Sequence, residues 1–351
     1  GSHDDTEFAK FRNVVAEEFP LVHGACERMI FGDGCFFYKL KGRDESRNII
    51  LMSHHDVVPA TEKENWDYPP FEGRIVDGKI YGRGTQDTKG SLYGELAALE
   101  QLLARGFRPK CNVWIGSSCN EETSGNGIPT ARDWFQEQGI TFDVILDEGG
   151  AVIDPPIGGM KCEKCAMVAI HEKGIHDLVF TAETASSHGS LTSGQQATPT
   201  ERMAAFITEV SNQKDRIYRG KFYPEVRATF ERHVPYMSFP LNFLFGNIGV
   251  FAPIIKKIMM GIPAANAMLS TGLSFTTLDA GDSRDPQMRA KTAETTMFLR
   301  CVREDDLYDG LKKIKKIAEK YGVDIEETER DYCKPTDFNG ETYKRVEALL
   351  H

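Results

Sequence analysis

The alternation of apolar and polar positions divides the chain into short strands and amphipathic helices. Phe8, Phe11, Val14, Val15 and Phe19 recur at helical spacing and predict an entry helix, with a strand after it near Cys35–Leu40. The run Ile49-Ile50-Leu51-Met52-Ser53 predicts a short buried strand. Its C-terminal end opens into a loop carrying His54, His55 and Asp56, and Pro59 stops anything further. A polar, proline-bearing loop over 62–71 leads to Asp77-Gly78, a strong hairpin dipeptide. Leu92, Leu96, Leu99 and Leu103 form a helical stripe that Arg105-Gly106 should end. A strand over 113–117, a helix over 127–138 and a strand over 143–147 follow. Strands alternating with helices predict an α/β fold whose mostly parallel sheet is covered by helices.

The pattern changes near Lys173-Gly174. Residues 176–183 alternate like a half-exposed strand, and Thr198-Pro199-Thr200-Glu201 is a capping box with proline at the first helical position. Met203, Phe206, Ile207 and Val210 give that helix its apolar face. Strands are expected over 273–278 and 295–302, an amphipathic helix over 305–322 and a closing strand over 323–330. Two such strand–helix–strand passes predict an inserted α+β sandwich. The expected domains are therefore a catalytic α/β unit over 1–172, a lid over 173–332, and a returning catalytic segment, cut short, over 333–351.

Composition narrows the function classes. A net charge of −10 is the opposite of a nucleic-acid footprint. Eight cysteines scattered over 351 residues are far from the density of a disulfide-stapled secreted domain, and Cys162-Glu163-Lys164-Cys165 is expected to hold reduced thiols. The most apolar stretch, 241–269, is interrupted by Asn242, Gly246, Asn247, Pro253, Lys256 and Lys257, so no run of about 20 apolar residues spans a bilayer. A cytoplasmic protein with no membrane partner is the expectation. Gly1-Ser2-His3 has the look of a tag scar, so an earlier signal peptide stays open. The lysines at 312, 313, 315 and 316 are expected to be a solvated helix face.

The candidate chemistry lies at strand ends. His54 is placed to ligate a cation, with Asp56 fixing the ring's tautomer. Tyr81-Gly82-Arg83-Gly84-Thr85-Gln86-Asp87-Thr88-Lys89-Gly90 fails both phosphate-loop spacings, but offers Asp87, ahead of a helix, as a bridge between two cations. Asn120-Glu121-Glu122 brings two glutamates that can divide the tasks of ligand and base. Asp147-Glu148-Gly149-Gly150 closes the next strand with another acidic pair. Open α/β sheets bind their ligands at this edge.

Ser53-His54-His55-Asp56-Val57-Val58-Pro59, Gly82-Arg83-Gly84-Thr85-Gln86-Asp87-Thr88-Lys89-Gly90, Asn120-Glu121-Glu122-Thr123-Ser124-Gly125 and Leu146-Asp147-Glu148-Gly149-Gly150 resemble, in order, the motifs of the di-zinc exopeptidase family. That family includes aminoacylase, carboxypeptidase G, the ArgE/DapE deacylases and the Gly-X carboxypeptidases (carboxypeptidase S). Trp66 and Pro69-Pro70-Phe71 match the loop between its first two motifs. The resemblance implies zinc, two ions per site, with cobalt or manganese as substitutes. By it His54, Asp87, Glu122 and Glu148 are ligands, Asp87 bridges, Asp56 orients His54, Glu121 is the general base, and His55 does not ligate. His188 resembles a lid histidine that serves the neighbouring subunit of a homodimer, and Arg300 a lid arginine that receives a substrate carboxylate. The activity implied is hydrolysis of the amide bond of N-acyl amino acids or short peptides.

The chain departs from the family in four places. None of its nine histidines sits in a returning segment, so the site made by Asp87 and Glu122 lacks its own histidine. Gln287-Met288-Arg289-Ala290 stands where the family has Asn-x-x-Pro. Asn120 and Thr88 replace the usual Asp and Met. A defective paralogue or a fragment that keeps the fold for metal binding or dimerisation is the alternative.

Overall fold

The computed structural model describes residues 5–61, 65–157, 159–184, 197–281 and 290–350. The chain divides into two units, Gly1–Gly150 and Ala151–His351. In the first, α1 (Asp5–Glu18) and α2 (Pro20–Ala25) precede β1 (Glu27–Phe31), β2 (Cys35–Leu40) and β3 (Asp44–His54). The hairpin of β4 (Arg74–Val76) and β5 (Lys79–Tyr81) turns at Asp77 and Gly78, whose φ of 49° and 74° are the left-handed values that such a turn requires. Then come α3 (Lys89–Ala104), β6 (Cys111–Ser118), α4 (Gly127–Glu137) and β7 (Val144–Leu146).

Five of these strands form a sheet in the order β1-β2-β6-β3-β7. The sheet is mixed. β3, β6 and β7 run parallel, as their helical crossovers require, whereas β1 and β2 are joined by only residues 32–34 and pair antiparallel. Helices cover both faces. Phe36, Tyr38 and Leu40 of β2 pack with Val15, Val22, Leu92 and Leu96, while Phe37 turns the other way toward Trp114, Ala131 and Phe135. That period of two sorts one strand into two cores. The register His54↔Ser118 and Leu51↔Leu146 brings the ends of the three parallel strands to one edge of the sheet.

The second unit opens with a hairpin of β8 (Ala151–Ile153) and β9 (Cys165–Met167), then β10 (Gly174–Glu183) and α5 (Pro199–Ile217). Thr198 and Glu201 close the expected capping box: Glu201 N–H donates to Thr198 Oγ1 at 3.1 Å and Thr198 N–H to Glu201 Oε2 at 2.6 Å. Next are α6 (Pro224–His233), α7 (Leu241–Gly246), α8 (Ile248–Met260), α9 (Pro263–Leu269), β11 (Gly272–Phe275), β12 (Asp279–Ala280) and β13 (Thr292–Cys301). The unit ends with α10 (Glu304–Tyr321), β14 (Asp324–Asp331) and α11 (Glu341–Leu350). An antiparallel sheet, β11-β13-β10-β14, lies under α5 and α10. Its core joins Leu178, Phe180, Met297 and Leu299 to Met203, Phe206, Leu311 and Ile314. Lys312 and Lys315 pair with Asp309 and Glu327 on the outer face. A separate cluster holds α6–α9 together around Phe230, Phe245, Ile255 and Leu269. No helix among the described residues is long and apolar enough to cross a membrane.

Candidate metal centre

His54 ends β3, and burial leaves its ring 1% exposed at the sheet edge. Its Nδ1 lies 3.1 Å from the Asp56 carbonyl oxygen and 3.4 Å from Asp56 Oδ1. Its Nε2 faces Asp87 Oδ1 at 3.0 Å, Glu148 Oε2 at 3.3 Å and Glu121 Oε2 at 3.9 Å. One imidazole nitrogen is thus engaged by Asp56, while the other points into a cluster of carboxylates.

Asp56 has a second task. Its Oδ1 accepts the Glu121 N–H at 3.2 Å and its Oδ2 the Glu122 N–H at 3.0 Å. The same carboxylate therefore orients His54 and fastens the loop after β6. That loop is folded tightly on itself, with Ser124 N–H donating to the Glu121 carbonyl and Gly125 N–H to the Asn120 carbonyl. A Cβ on Gly125 would lie 2.1 Å from Asn120 Nδ2, which is why glycine stands there. Asp87 is delivered by the turn before α3, where Lys89 N–H donates to the Gly84 carbonyl at 3.1 Å. Glu148 follows β7 directly.

The electrostatics are those of an anionic cup around one buried ring. Burial alone would lower the His54 pKa, yet hydrogen bonds to Asp56 and Glu148, with the charge of Glu148 and the Asp87 carboxylate, outweigh it and push it up to about 11. Burial raises the Glu121 carboxyl to about 7; His54 opposes this, and Glu148 and Glu122 reinforce it. Glu122 is raised by burial and by Asp87. Burial would raise Asp56 too, but His54 and the two backbone N–H groups hold it below the usual carboxylate range. A site that traps a proton on its histidine at neutral pH has the field to hold a cation instead.

Two groups meet the requirement for shared ligation: His54, Asp87 and Glu148, and His54, Glu121 and Glu122. Within each, the donor atoms lie within 4.8 Å of one another. Imidazole plus carboxylate oxygen suits zinc, manganese or cobalt rather than a thiophilic ion. The donor set therefore fits a divalent metal.

Six of the eight residues singled out in the sequence, His54, Asp56, Asp87, Glu121, Glu122 and Glu148, come together here. His188 and residues 287–289 lie outside the described residues. Arg300, on β13 in the second unit, pairs with Glu172 at 2.8 Å. His55 is packed among the rings of Phe8, Phe11 and Phe36; burial lowers its pKa to about 3 against the charge of Asp56, and its Nδ1 meets Ser117 Oγ at 2.9 Å. Two further polar groups were not anticipated. Lys89 is lowered by burial against the opposing charge of Asp56, and Glu95, beneath Ser53, is pushed up to about 7 by burial. Glu95 sits between Leu92 and Leu96 on the inward stripe of α3, where an acidic residue breaks the apolar pattern; that is the signal which could have found it.

The model of "Peptidase family M20/M25/M40" matches residues 50–351. Among curated proteins, "Probable carboxypeptidase S-like 2" of Dictyostelium discoideum is 30% identical over 348 residues, covering 98% of this chain and 65% of that protein. The human "N-fatty-acyl-amino acid synthase/hydrolase PM20D1" is 32% identical over 279 residues, covering 79% of this chain and 54% of that protein. The chain thus spans between about half and two thirds of the length of the curated relatives it matches. A solved M20 family metallo-carboxypeptidase, Sso-CP2 from Sulfolobus solfataricus, shares the fold with a TM-score of 0.66 at 18% identity, over 97% of this chain and 76% of that one. With the family's model covering the chain from β3 onward, and four strand-end loops converging on His54, this chain belongs to peptidase family M20/M25/M40.

Proposed function

We propose that this chain carries the metal centre of a zinc-dependent hydrolase that cleaves the amide bond of N-acyl amino acids or short peptides with a free carboxylate. The observation that carries this reading is the convergence of His54, Asp87, Glu121, Glu122 and Glu148 at one sheet edge. His54, Asp87, Glu148 and Glu122 would hold the zinc, which supplies Lewis acidity toward a water and the amide carbonyl. Glu121 is the general base. A carboxyl raised to about 7 can accept a proton from the attacking water and return it to the leaving amine near neutral pH. Asp56 keeps His54 and the Glu121 loop in register.

Residues 1–172 are the catalytic body, 173–332 the lid and dimerisation element, and 333–351 the start of the segment that returns to the catalytic body. In this reading His188 of a second copy steadies the oxyanion, and Arg300 exchanges Glu172 for the substrate carboxylate. Eight free thiols are in keeping with a cytoplasmic location. The names of the curated relatives support the carboxypeptidase and acyl-amino-acid classes of substrate. Glu121→Ala should abolish turnover of N-acyl amino acids and Gly-X dipeptides while zinc content stays unchanged. Loss of zinc, or surviving turnover, would refute the role of Glu121.

One observation favours a second reading. Both metal groups draw on the same imidazole, so among the described residues the Glu122 side has no histidine of its own. A non-catalytic metal-binding form would take up zinc on His54, Asp87 and Glu148 and turn over none of these substrates.

A further inference from the structure

The helices between β10 and β13 carry a surface that the hydrolase reading does not use. α8 is apolar on both sides. Ile248, Ile255 and Met259 face the cluster formed with α6, α7 and α9, while Val250, Ile254 and Ile258 point outward, and Ile262 continues the row at the same spacing of four. Phe243, whose ring centroid lies 5.6 Å from that of Phe251 on α8, adds to it. The exposures run from 51% at Ile262 to 74% at Val250. An amphipathic helix of a water-facing surface would place polar residues there.

The charge pattern is as unusual as the exposure. Between Glu231 and Asp279 there is no Asp or Glu, in a chain that holds 52 of them. Apart from Arg232, the charges in that interval are Lys256 and Lys257. Lys257 is exposed and lies on the same face as Val250, Ile254 and Ile258.

We propose that this face of α8, with Phe243 and Ile262, docks the protein onto a phospholipid surface bearing anionic headgroups. The 13-residue helix is about 20 Å long, short of the roughly 30 Å hydrocarbon core, so it lies along the interface rather than across it. Apolar side chains enter the acyl boundary, and Lys257, exposed at the edge of the row, meets the headgroups. A second copy is the poorer occupant. A two-fold contact would bring the same face together and set Lys257 of one chain near Lys257 of the other without an acidic partner on the segment. The proposal does not depend on the hydrolase reading.

The test is co-sedimentation of the full chain with vesicles of phosphatidylcholine, with and without phosphatidylserine. The chain should sediment with the mixed vesicles and more weakly with the neutral ones. Ile254→Asp/Ile258→Asp should weaken partitioning at least about tenfold on both. Lys257→Gln should weaken it about fivefold on the anionic vesicles alone. Far-UV circular dichroism and melting should be unchanged, since these side chains are exposed or half-exposed. Val250→Ser/Ile254→Ser serves as the milder variant if the aspartates disturb folding. Failure to sediment with either vesicle would overturn the proposal. So would equal binding by the double aspartate variant, or a dimer in sedimentation equilibrium that this variant dissociates while vesicles capture nothing.

Discussion

Replacing Asp56 by asparagine probes the junction on which the metal centre rests. The substitution keeps the shape but removes the charge and one of two acceptor oxygens. In the protein that carboxylate meets the His54 ring and the backbone N–H groups of Glu121 and Glu122, at 3.4, 3.2 and 3.0 Å. Asn can still accept at one oxygen, so about two of the three interactions are lost or weakened. At roughly 1.5–3 kcal/mol for each hydrogen bond to a charged group, and allowing for relaxation of the exposed part of the loop, the expected loss of stability is about 2–4 kcal/mol. Metal affinity should fall about 10–100-fold, as for other partners that orient a ligating histidine. Urea unfolding of the metal-free protein reads the first quantity, and zinc competition against a chromogenic chelator reads the second. The effect also has a pH signature. The Asp56 pKa is depressed in the folded state, so its contribution is present above about pH 4, the unfolded carboxyl's range, and lost as pH falls through its folded value. An Asp56→Asn variant with unchanged zinc affinity and unchanged acid sensitivity would refute the reasoning.

Two further perturbations follow from the same structure. The His54 pKa is raised to about 11, so zinc binding at pH 7 should release about one proton per chain, and apparent affinity should rise about tenfold per pH unit as His54 ceases to compete. Titration calorimetry in buffers of different ionisation enthalpy measures this directly, and identical enthalpies would contradict it; without metal, the raised pKa stabilises the fold fully below about pH 6.5, a contribution lost as pH climbs through about 11. At the far end of the sheet, Asn48 Oδ1 accepts from Asn112 Nδ2 at 2.9 Å and Trp114 Nε1 at 3.0 Å, and its Nδ2 donates to the Thr141 carbonyl. Asn48→Leu takes the acceptor from the buried Trp114 Nε1, while Asn112 Nδ2 keeps the Glu45 carbonyl, and should cost about 2 kcal/mol in urea unfolding; a loss below about 1 kcal/mol would show that the network is not structural.

Much of the site was legible because His54, Glu121, Glu122 and Glu148 end or follow strands with clear apolar runs, while Asp87 follows the Asp77-Gly78 hairpin. Val113, Ile115 and the residues around them mark β6, so Glu121 and Glu122 could be placed at its end. The long helix α10 was equally clear, since Leu307, Leu311, Ile314 and Ile317 alternate with lysines; among these Lys313 donates to the Arg216 and Ile217 carbonyls, which the sequence did not show. The fastening of the Glu121 loop by Asp56 was not visible, because it joins backbone groups 65 and 66 positions away and depends on the parallel register of β3 and β6. β1 escaped notice for a related reason: at the sheet edge, only Phe31 is buried, so Glu27–Phe31 carries no alternation. Helices α6–α9 were missed over a wider stretch. α8 is apolar on its outer face as well as its inner one, which erases the 3.6-residue period that marks a surface helix.

The central claim is that His54 and the carboxylates around it hold a divalent metal. Its most direct test is plasma-emission zinc analysis of the protein and of His54→Ala after dialysis against a weak chelator. The account predicts zinc retained by the unaltered chain and lost from the variant, with both still folded by circular dichroism. Equal zinc in the two, or none in either, would contradict it.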